Sequence, residues 1–184
     1  MGRNYKAINY IRKELNNLDD RFVDCVVRCF NCVDTKKEPN GCMSNTVALY
    51  ICAKEYGYNP TICYGLCQID DKKFYHAWLE LDNTIIDIAI YGNINYSIFS
   101  MWDKKVDTPY IGGYKESYIR YGKFEFDEDW KYSLISSVKG LELIKYMDKA
   151  PQNARWKLVY KYLDKTFTNE SFKRLRLYIN DVVL

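Results

Sequence analysis

The middle of the chain contains three consecutive β-rich runs, and they limit the fold more than any other feature of the sequence. The runs are PTICYGLCQI, FYHAWLEL and TIIDIAIY, joined by the polar segments DDKK and DN. Such spacing is typical of an antiparallel meander. Helical periodicity precedes and follows the three runs. The sequence therefore predicts an α+β fold in which helices flank an antiparallel sheet.

Before the sheet, apolar residues repeat every three to four positions in three segments. The first two segments predict helices within the first forty residues, separated near Asn16 to Asp20. The segment TKKEPNG is predicted as a loop, because its proline and glycine discourage a continuing helix. The third segment, from Cys42 to Tyr56, predicts a helix that Gly57 ends. A cysteine therefore stands at the start of a helix.

After the sheet, the stretch from Gly92 to Phe126 is rich in glycine and tyrosine and lacks a sustained period, which predicts loops and one or two short strands. Its loops either cover a substrate or are ordinary surface loops. Helical periodicity returns from Trp130 to Ile144 and again after Pro151. A last helix is predicted from Phe172 onward, with Thr168 or Asn169 as its cap. These helices are also where basic residues concentrate.

The C-terminal basic residues favour a solvated helical face, and the alternative is a site for an acidic protein partner. They are Lys149, Arg155, Lys157, Lys161, Lys165, Lys173, Arg174 and Arg176. The net charge of the whole chain is only +3, from 27 basic and 24 acidic residues, so no nucleic-acid partner is expected. No segment has the apolar character of a signal peptide or a membrane span, so we expect a cytoplasmic protein without a membrane partner.

The chain's only histidine, His76, precedes an aspartate in an apolar run, Asp87, by eleven residues. If Asp82 and Asn83 form a two-residue turn, His76 stands opposite Ala89, and Asp87 is its diagonal neighbour on the same sheet face. A carboxylate in that place can accept the Nδ1 proton of imidazole and leave Nε2 to act on a nucleophile. The register also puts an almost wholly apolar set on the opposite face. That set is Tyr75, Ala77, Leu79, Leu81, Ile86, Ile88 and Ile90.

Cys42 is the best candidate for the nucleophile that this pair requires. A thiolate at a helix start is stabilised by the exposed amides and the helix dipole, and a protonated histidine nearby lowers its pKa further. Cys67 is a rival, because pairing across a four-residue DDKK loop sets it directly opposite His76. A thiol in the middle of a strand lacks the helix dipole, so Cys67 is expected to line or support the site. Trp78 shares the His76 face and either walls the site or packs against the Cys42 helix.

The segment from Gly41 to Ile90 resembles the core of the transglutaminase-like branch of the papain-like cysteine fold. In that branch a cysteine opens a helix, and histidine and aspartate follow on adjacent strands, as Cys42, His76 and Asp87 do here. The residues HAWLE are most similar to the His-Ala-Trp-Val-Glu strand of the leader-peptide proteases of lasso-peptide biosynthesis. Those proteases work with a separate leader-recognition partner.

The resemblance implies a thiol hydrolase that cleaves a peptide or other amide bond through a thioacyl intermediate. Cys42 would be the nucleophile, His76 the general acid and base, and Asp87 the residue that orients His76. Backbone amides at the start of the Cys42 helix would hold the oxyanion, and Asn40 is a candidate second donor. The alternatives are an acyltransferase or transamidase with the same three residues, or a non-catalytic binding module on the same fold.

Three further cysteines, Cys25, Cys29 and Cys32, match the CxxxCxxC spacing of iron–sulfur radical enzymes. They also form one stripe of a predicted helix, and we favour core packing because the chain is too short for the usual radical-enzyme barrel. A zinc site lacks a fourth ligand nearby. We therefore predict neither a metal nor a cofactor, and seven reduced thiols rather than a disulfide framework.

The length is that of a single domain that can bury a substantial core, and we expect residues 1–184 to form one transglutaminase-like domain. In this division N-terminal helices occupy 1–40, the catalytic core occupies 41–126, and a C-terminal helical part occupies 127–184.

Overall fold

The computed structural model describes residues 3–37, 39, 41–96, 105–133 and 135–184, which form an α+β fold. The helices are α1 (Arg3–Glu14), α2 (Asp20–Lys36), α3 (Cys42–Glu55), α4 (Ala89–Tyr96), α5 (Leu143–Asp148), α6 (Ala154–Leu163) and α7 (Asn169–Leu177). The strands are β1 (Thr61–Ile69), β2 (Lys72–Leu81), β3 (Thr84–Asp87), β4 (Tyr110–Gly112) and β5 (Arg120–Lys123). Short 3-10 helices span Glu128–Tyr132, Ile135–Val138 and Pro151–Asn153.

The five strands form one antiparallel sheet in the order β4-β3-β2-β1-β5, so the predicted meander is its centre. The tyrosine- and glycine-rich region, where one or two short strands were expected, contains β4 and β5, and they form the edges. Sheet and helices together confirm the predicted α+β class.

The turn between β1 and β2 is shorter than predicted. Ile69 pairs with Lys72, so two aspartates alone make the turn, with a left-handed backbone at Asp70. Two-residue turns of this hand match the twist of paired strands. The four-residue loop was therefore wrong, and so was the register built on it. Cys67 pairs with Phe74, and the residue opposite His76 is Gly65.

The turn between β2 and β3 has the predicted two residues, because Leu81 pairs with Thr84. The strand predicted over TIIDIAIY is wrong in its second half, since β3 ends at Asp87 and α4 begins at Ala89. A carboxylate oxygen of Asp87 accepts a hydrogen bond of 3.0 Å from the backbone N–H of Ile90. That bond satisfies a free amide of the first helical turn, and His76 consequently has no strand partner at Ala89.

The sheet separates a large apolar cluster, shared with the helices, from a smaller cluster on its other face. The predicted apolar face is confirmed from Ala77 to Ile88, whereas Ile90 lies in the smaller cluster, because two-residue alternation stops where α4 starts. We call the smaller group the second cluster. Its buried members are Cys63, Cys67, Trp78, Ile85, Ile90, Ile94, Tyr110, Ile119 and Tyr121.

The predicted helices before the sheet are confirmed, and α2 carries Cys25, Cys29 and Cys32 buried in the large cluster. Core packing therefore accounts for the three thiols. After the sheet, the helix predicted from Trp130 to Ile144 was wrong.

Two 3-10 helices and a left-handed Gly140 occupy most of that segment, and Leu134 lies outside the described residues. After Gly140, backbone hydrogen bonds join this segment to the C-terminal residues, and one of them runs from the Leu143 N–H to the Val182 carbonyl at 2.8 Å. These bonds keep the segment from forming a helix. The cap of α7 is Thr168, whose side chain accepts from the N–H of Ser171, as predicted.

Three of the eight C-terminal basic residues are bound to acidic residues of the chain itself. Lys165 and Arg174 contact Glu55 at 2.6 and 2.7 Å, and Arg176 contacts Asp148 at 2.7 Å. A protein partner at these helices stays a prediction. Within the described ranges, no helix combines the length and the apolar sequence needed to cross a bilayer.

Candidate functional site

Cys42 is the first residue of α3, and the residue before it, Gly41, supplies no side-chain cap. The first backbone amides of the helix therefore lack the usual side-chain acceptor. A Cβ atom at Gly41 would lie 2.8 Å from Nδ2 of Asn45, whose Oδ1 accepts a hydrogen bond of 2.6 Å from Tyr162. The close approach of that fixed amide explains why a glycine precedes the cysteine.

A buried threonine one turn further along fastens α3 to β2 beside the histidine. Thr46 donates its hydroxyl to the carbonyl of Ala77 at 3.2 Å, and Ala77 is the neighbour of His76. This bond places the start of α3 against β2, and Cys42 is close enough to His76 to contribute to raising the pKa of the imidazole.

The predicted contact between His76 and Asp87 is present, but through the other ring nitrogen. Nε2 of His76 lies 2.8 Å from Oδ2 of Asp87, with both side chains essentially inaccessible to solvent. Diagonal neighbours in a sheet are farther apart than direct partners, so the far end of the ring spans the gap. The prediction that Nδ1 faces the carboxylate was therefore wrong. Nδ1 lies 3.3 Å from Nδ2 of Asn93 instead.

Asp87 is held by three hydrogen bonds in a buried setting. Besides His76, its Oδ2 accepts from the hydroxyl of Tyr121 at 2.7 Å, and its Oδ1 accepts from the N–H of Ile90. Burial and the charge of Asp87 raise the pKa of Tyr121, which keeps its proton and remains a donor. These bonds give both oxygens of the buried carboxyl group the hydrogen-bond partners that a buried polar group needs.

The environment of His76 favours its protonated form. Burial by itself lowers the pKa of His76, but the charge and hydrogen bond of Asp87, together with a hydrogen bond to Cys42, outweigh burial and raise the pKa above its usual 6.5. An imidazolium beside a thiol at a helix start is the arrangement that stabilises a thiolate.

Cys42 opens onto a groove of about 370 Å³, which we call the Cys42 groove. Its walls come from the start of α3, from β2 and α4, and from the C-terminal part of the chain. The lining residues are Cys42, Met43, Ser44, Tyr75, Asn93, Ser133, Ile135, Ser137, Val138, Tyr146 and Arg155. His76 is fully buried behind this surface.

The other predicted site residues lie elsewhere. Cys67 is fully buried in the second cluster, where burial, and then the charge of Asp87, raise the pKa of its thiol. Trp78 lies in the same cluster, 4.8 Å from the ring of Tyr121, so it neither walls the Cys42 groove nor packs against α3. Alternation along β2 directs it away from α3. Asn40 is outside the described residues.

Three residues of the groove escaped the sequence reasoning. Asn93 lies on α4, in a stretch that the sequence predicted as a loop, and Tyr146 and Arg155 follow Cys42 by more than a hundred residues. No periodicity or short motif connects such distant positions. Across the described ranges, no group of three or more His, Cys, Asp or Glu side chains is placed to hold a metal ion.

A comparison with protein-family models finds a match over the segment that carries α2, α3 and the first three strands. Residues 11–96 match the model of the transglutaminase-like superfamily, so this segment is similar to members of that superfamily. The superfamily is generally enzymatic, with cysteine peptidases and transglutaminases among its members. Comparisons with the curated proteins and with the solved structures found no match. The likeness to lasso-peptide leader proteases stays a prediction.

Proposed function

We propose that this protein is a cysteine hydrolase that cleaves a peptide or other amide bond. Cys42 is the nucleophile, His76 is the general acid and base, and Asp87 orients His76. The observation that supports this best is the position of His76, which is buried in contact with both Asp87 and Cys42 while Cys42 itself faces an open groove.

In the first half of the reaction, Sγ of Cys42 attacks the carbonyl carbon of the substrate amide and forms a tetrahedral intermediate. The C–N bond then breaks, and the leaving amine takes a proton from the His76 imidazolium. Because Asp87 holds the Nε2 end of the ring, the proton passes from the Nδ1 side. The product of this half is a thioester on Cys42.

The oxyanion needs donors on the Cys42 side of the groove. The uncapped backbone amides at the start of α3 supply one set, aided by the helix dipole. We propose the amide of Asn93 as the side-chain donor, since it lines the groove and lies beside Nδ1 of His76. In this proposal Asn93 has the donor role that the sequence suggested for Asn40.

In the second half, neutral His76 removes a proton from water, and the resulting hydroxide attacks the thioester carbon. The C–S bond breaks, which releases a carboxylic acid and restores the thiolate of Cys42. If an amine takes the place of water, the same steps give transamidation. Adding a primary amine during turnover separates the two reactions, because only transfer yields an amide product.

Limiting alkylation tests the proposed nucleophile without a known substrate. A brief pulse of iodoacetamide followed by peptide mass spectrometry should label Cys42 ahead of the other six cysteines, because Cys42 lies at a helix start and opens onto the groove. His76→Ala should lose this preference, while Cys67→Ala should keep it. Slow, uniform labelling, as expected of a binding module without catalysis, would contradict the proposal, and so would preferential labelling of Cys67.

A further inference from the structure

Arg155 is the charged side chain of the Cys42 groove. Among the described residues that line the groove it alone carries a basic or acidic group, and the rest are hydroxyl, amide, thiol or apolar side chains. Arg155 also lines a second hollow of about 330 Å³, which shares Ser44 with the groove. The guanidinium therefore stands where two surface depressions meet beside the start of α3.

Among the residues that the structure describes, Arg155 differs from the other arginines because it has no acidic partner. Every other arginine whose side chain the structure describes contacts a carboxylate within 3.2 Å, and these are Arg12, Arg21, Arg28, Arg120, Arg174 and Arg176. Over the same described residues, no aspartate or glutamate forms an ion pair with Arg155. A half-buried cation in a cleft without an internal counter-ion is placed to receive an external anion.

Contacts with Tyr146 hold Arg155 in position without using up its charge. The guanidinium carbon lies 3.8 Å from the centre of the Tyr146 ring, and Nη1 donates a hydrogen bond to the Tyr146 carbonyl. The Tyr146 hydroxyl is 3.2 Å from that of Ser44, two residues after Cys42. The stack therefore ties the guanidinium to the start of α3. A guanidinium has five N–H donors, so most remain free for a ligand.

We propose that Arg155 binds a carboxylate of the substrate and so selects amides that carry an acidic group close to the scissile bond. A carboxylate suits this site because it can accept two parallel hydrogen bonds from one guanidinium. The carboxylate belongs either to an acidic side chain or to a chain end. This inference rests on the proposed function, because it takes Cys42 as the reacting group.

Two pairs of electrophiles test the proposal, and the members of each pair differ by one charge. In the first pair, N-iodoacetyl-glycine carries a terminal carboxylate and its amide carries none. In the second pair, the amide of N-iodoacetyl-aspartate carries a side-chain carboxylate and the amide of N-iodoacetyl-asparagine carries none. The readout is the ratio of Cys42 alkylation rates, anionic over neutral, within each pair. The pair with the larger ratio in the wild-type protein identifies the source of the carboxylate.

Arg155→Gln should lower that ratio about tenfold, because a charge-assisted hydrogen bond to the anion is lost. Arg155→Lys keeps the positive charge but loses the planar guanidinium, so it should lower the ratio less than Arg155→Gln does. This variant still tests the proposal if Arg155→Gln does not fold. Lys157→Gln is the matched control, since it removes one positive charge from an exposed position on the same helix, and its ratio should equal that of the wild type.

Three results would overturn the proposal. An unchanged ratio in Arg155→Gln, with Cys42 still labelled first by iodoacetamide, rejects the carboxylate site and leaves the proposed function standing. An equal fall in Lys157→Gln rejects it in favour of general charge attraction. Absence of preferential Cys42 labelling in the wild-type protein rejects the proposed function and this inference together.

Discussion

The start of α3 and the second cluster each place a cysteine near the buried histidine–aspartate pair, but in opposite surroundings. Cys42 lies close enough to His76 to help raise its pKa, retains 8% exposure and opens onto a groove. Cys67 is 0% exposed, and burial and the charge of Asp87 raise the pKa of its thiol. Proximity to the pair is thus common to both thiols, and they differ in access and local electrostatics.

This difference shows why a helix start suits a nucleophile better than a strand within a cluster. Cys42 stands at an uncapped helix start that opens onto a groove, whereas burial at Cys67 favours the neutral thiol. The sheet itself separates the two environments.

The largest effect should come from removing one thiol at a time. Cys42→Ser should reduce the burst of nitrophenol released from p-nitrophenyl acetate by about 10³-fold or more, because acylation needs the thiolate. Cys67→Ala should retain the burst and only lower the midpoint of thermal unfolding, since it leaves a small cavity. A burst that survives in Cys42→Ser but disappears in Cys67→Ala would reverse the assignment of the two thiols.

Asp87→Asn should lower the rate of Cys42 alkylation near neutral pH by about 10²-fold. Without the carboxylate, burial remains and lowers the pKa of His76, so the imidazolium is lost at a lower pH than in the wild type. The measurement is the alkylation rate against pH in both proteins. Identical profiles would show that Asp87 does not control the charge of His76.

Folding stability should report the same linkage. The folded pKa of His76 lies above its unfolded value, so protonation stabilises the fold fully below pH 6.5, and this contribution is lost as pH rises through the folded pKa. Between pH 6.5 and the folded pKa of His76, the free energy of unfolding should fall more steeply with rising pH in the wild type than in Asp87→Asn. Parallel slopes in urea titrations would contradict the expected pKa shift.

Tyr121→Phe should have the smallest effect, because it removes one of several donors to Asp87. The free energy of unfolding should fall by about 2 kcal/mol, the typical cost of removing a buried hydrogen bond to a charged group. Cys42 alkylation should slow by a few-fold. Tyr110→Phe is the matched control in the same cluster, since its hydroxyl donates to the Gly113 carbonyl and not to Asp87. Equal alkylation rates in the two variants would show that Tyr121 does not affect the site.

Much of the site could be predicted from local patterns. The periodicity from Cys42 to Tyr56 placed a cysteine at a helix start, and the two-residue turn at Asp82 and Asn83 placed Asp87 beside His76. Both predictions depended on short-range rules, namely the helical repeat and the geometry of a tight turn. The error at Cys67 came from the length of one turn, since adding two residues shifts every partner along the strand.

Other parts of the site had no local signal. Which nitrogen of His76 faces Asp87 depends on the length of a diagonal contact, and the end of β3 depends on a side chain that caps the next helix. The groove requires Tyr146 and Arg155 to come back against the start of α3 from more than a hundred residues away. Long-range packing of this kind leaves no periodic trace in the sequence.

Hydrophobic period and turn chemistry act within a few residues, so the α+β class, the meander and the pairing of the single histidine with an aspartate follow from local sequence. Only the tertiary structure decided which thiol meets the histidine in an accessible groove and which is sealed in the second cluster. It also decided that Arg155 faces that groove without an internal acidic partner among the described residues. Burial and charge pairing depend on the distances between elements, and those distances exist only once the chain has packed.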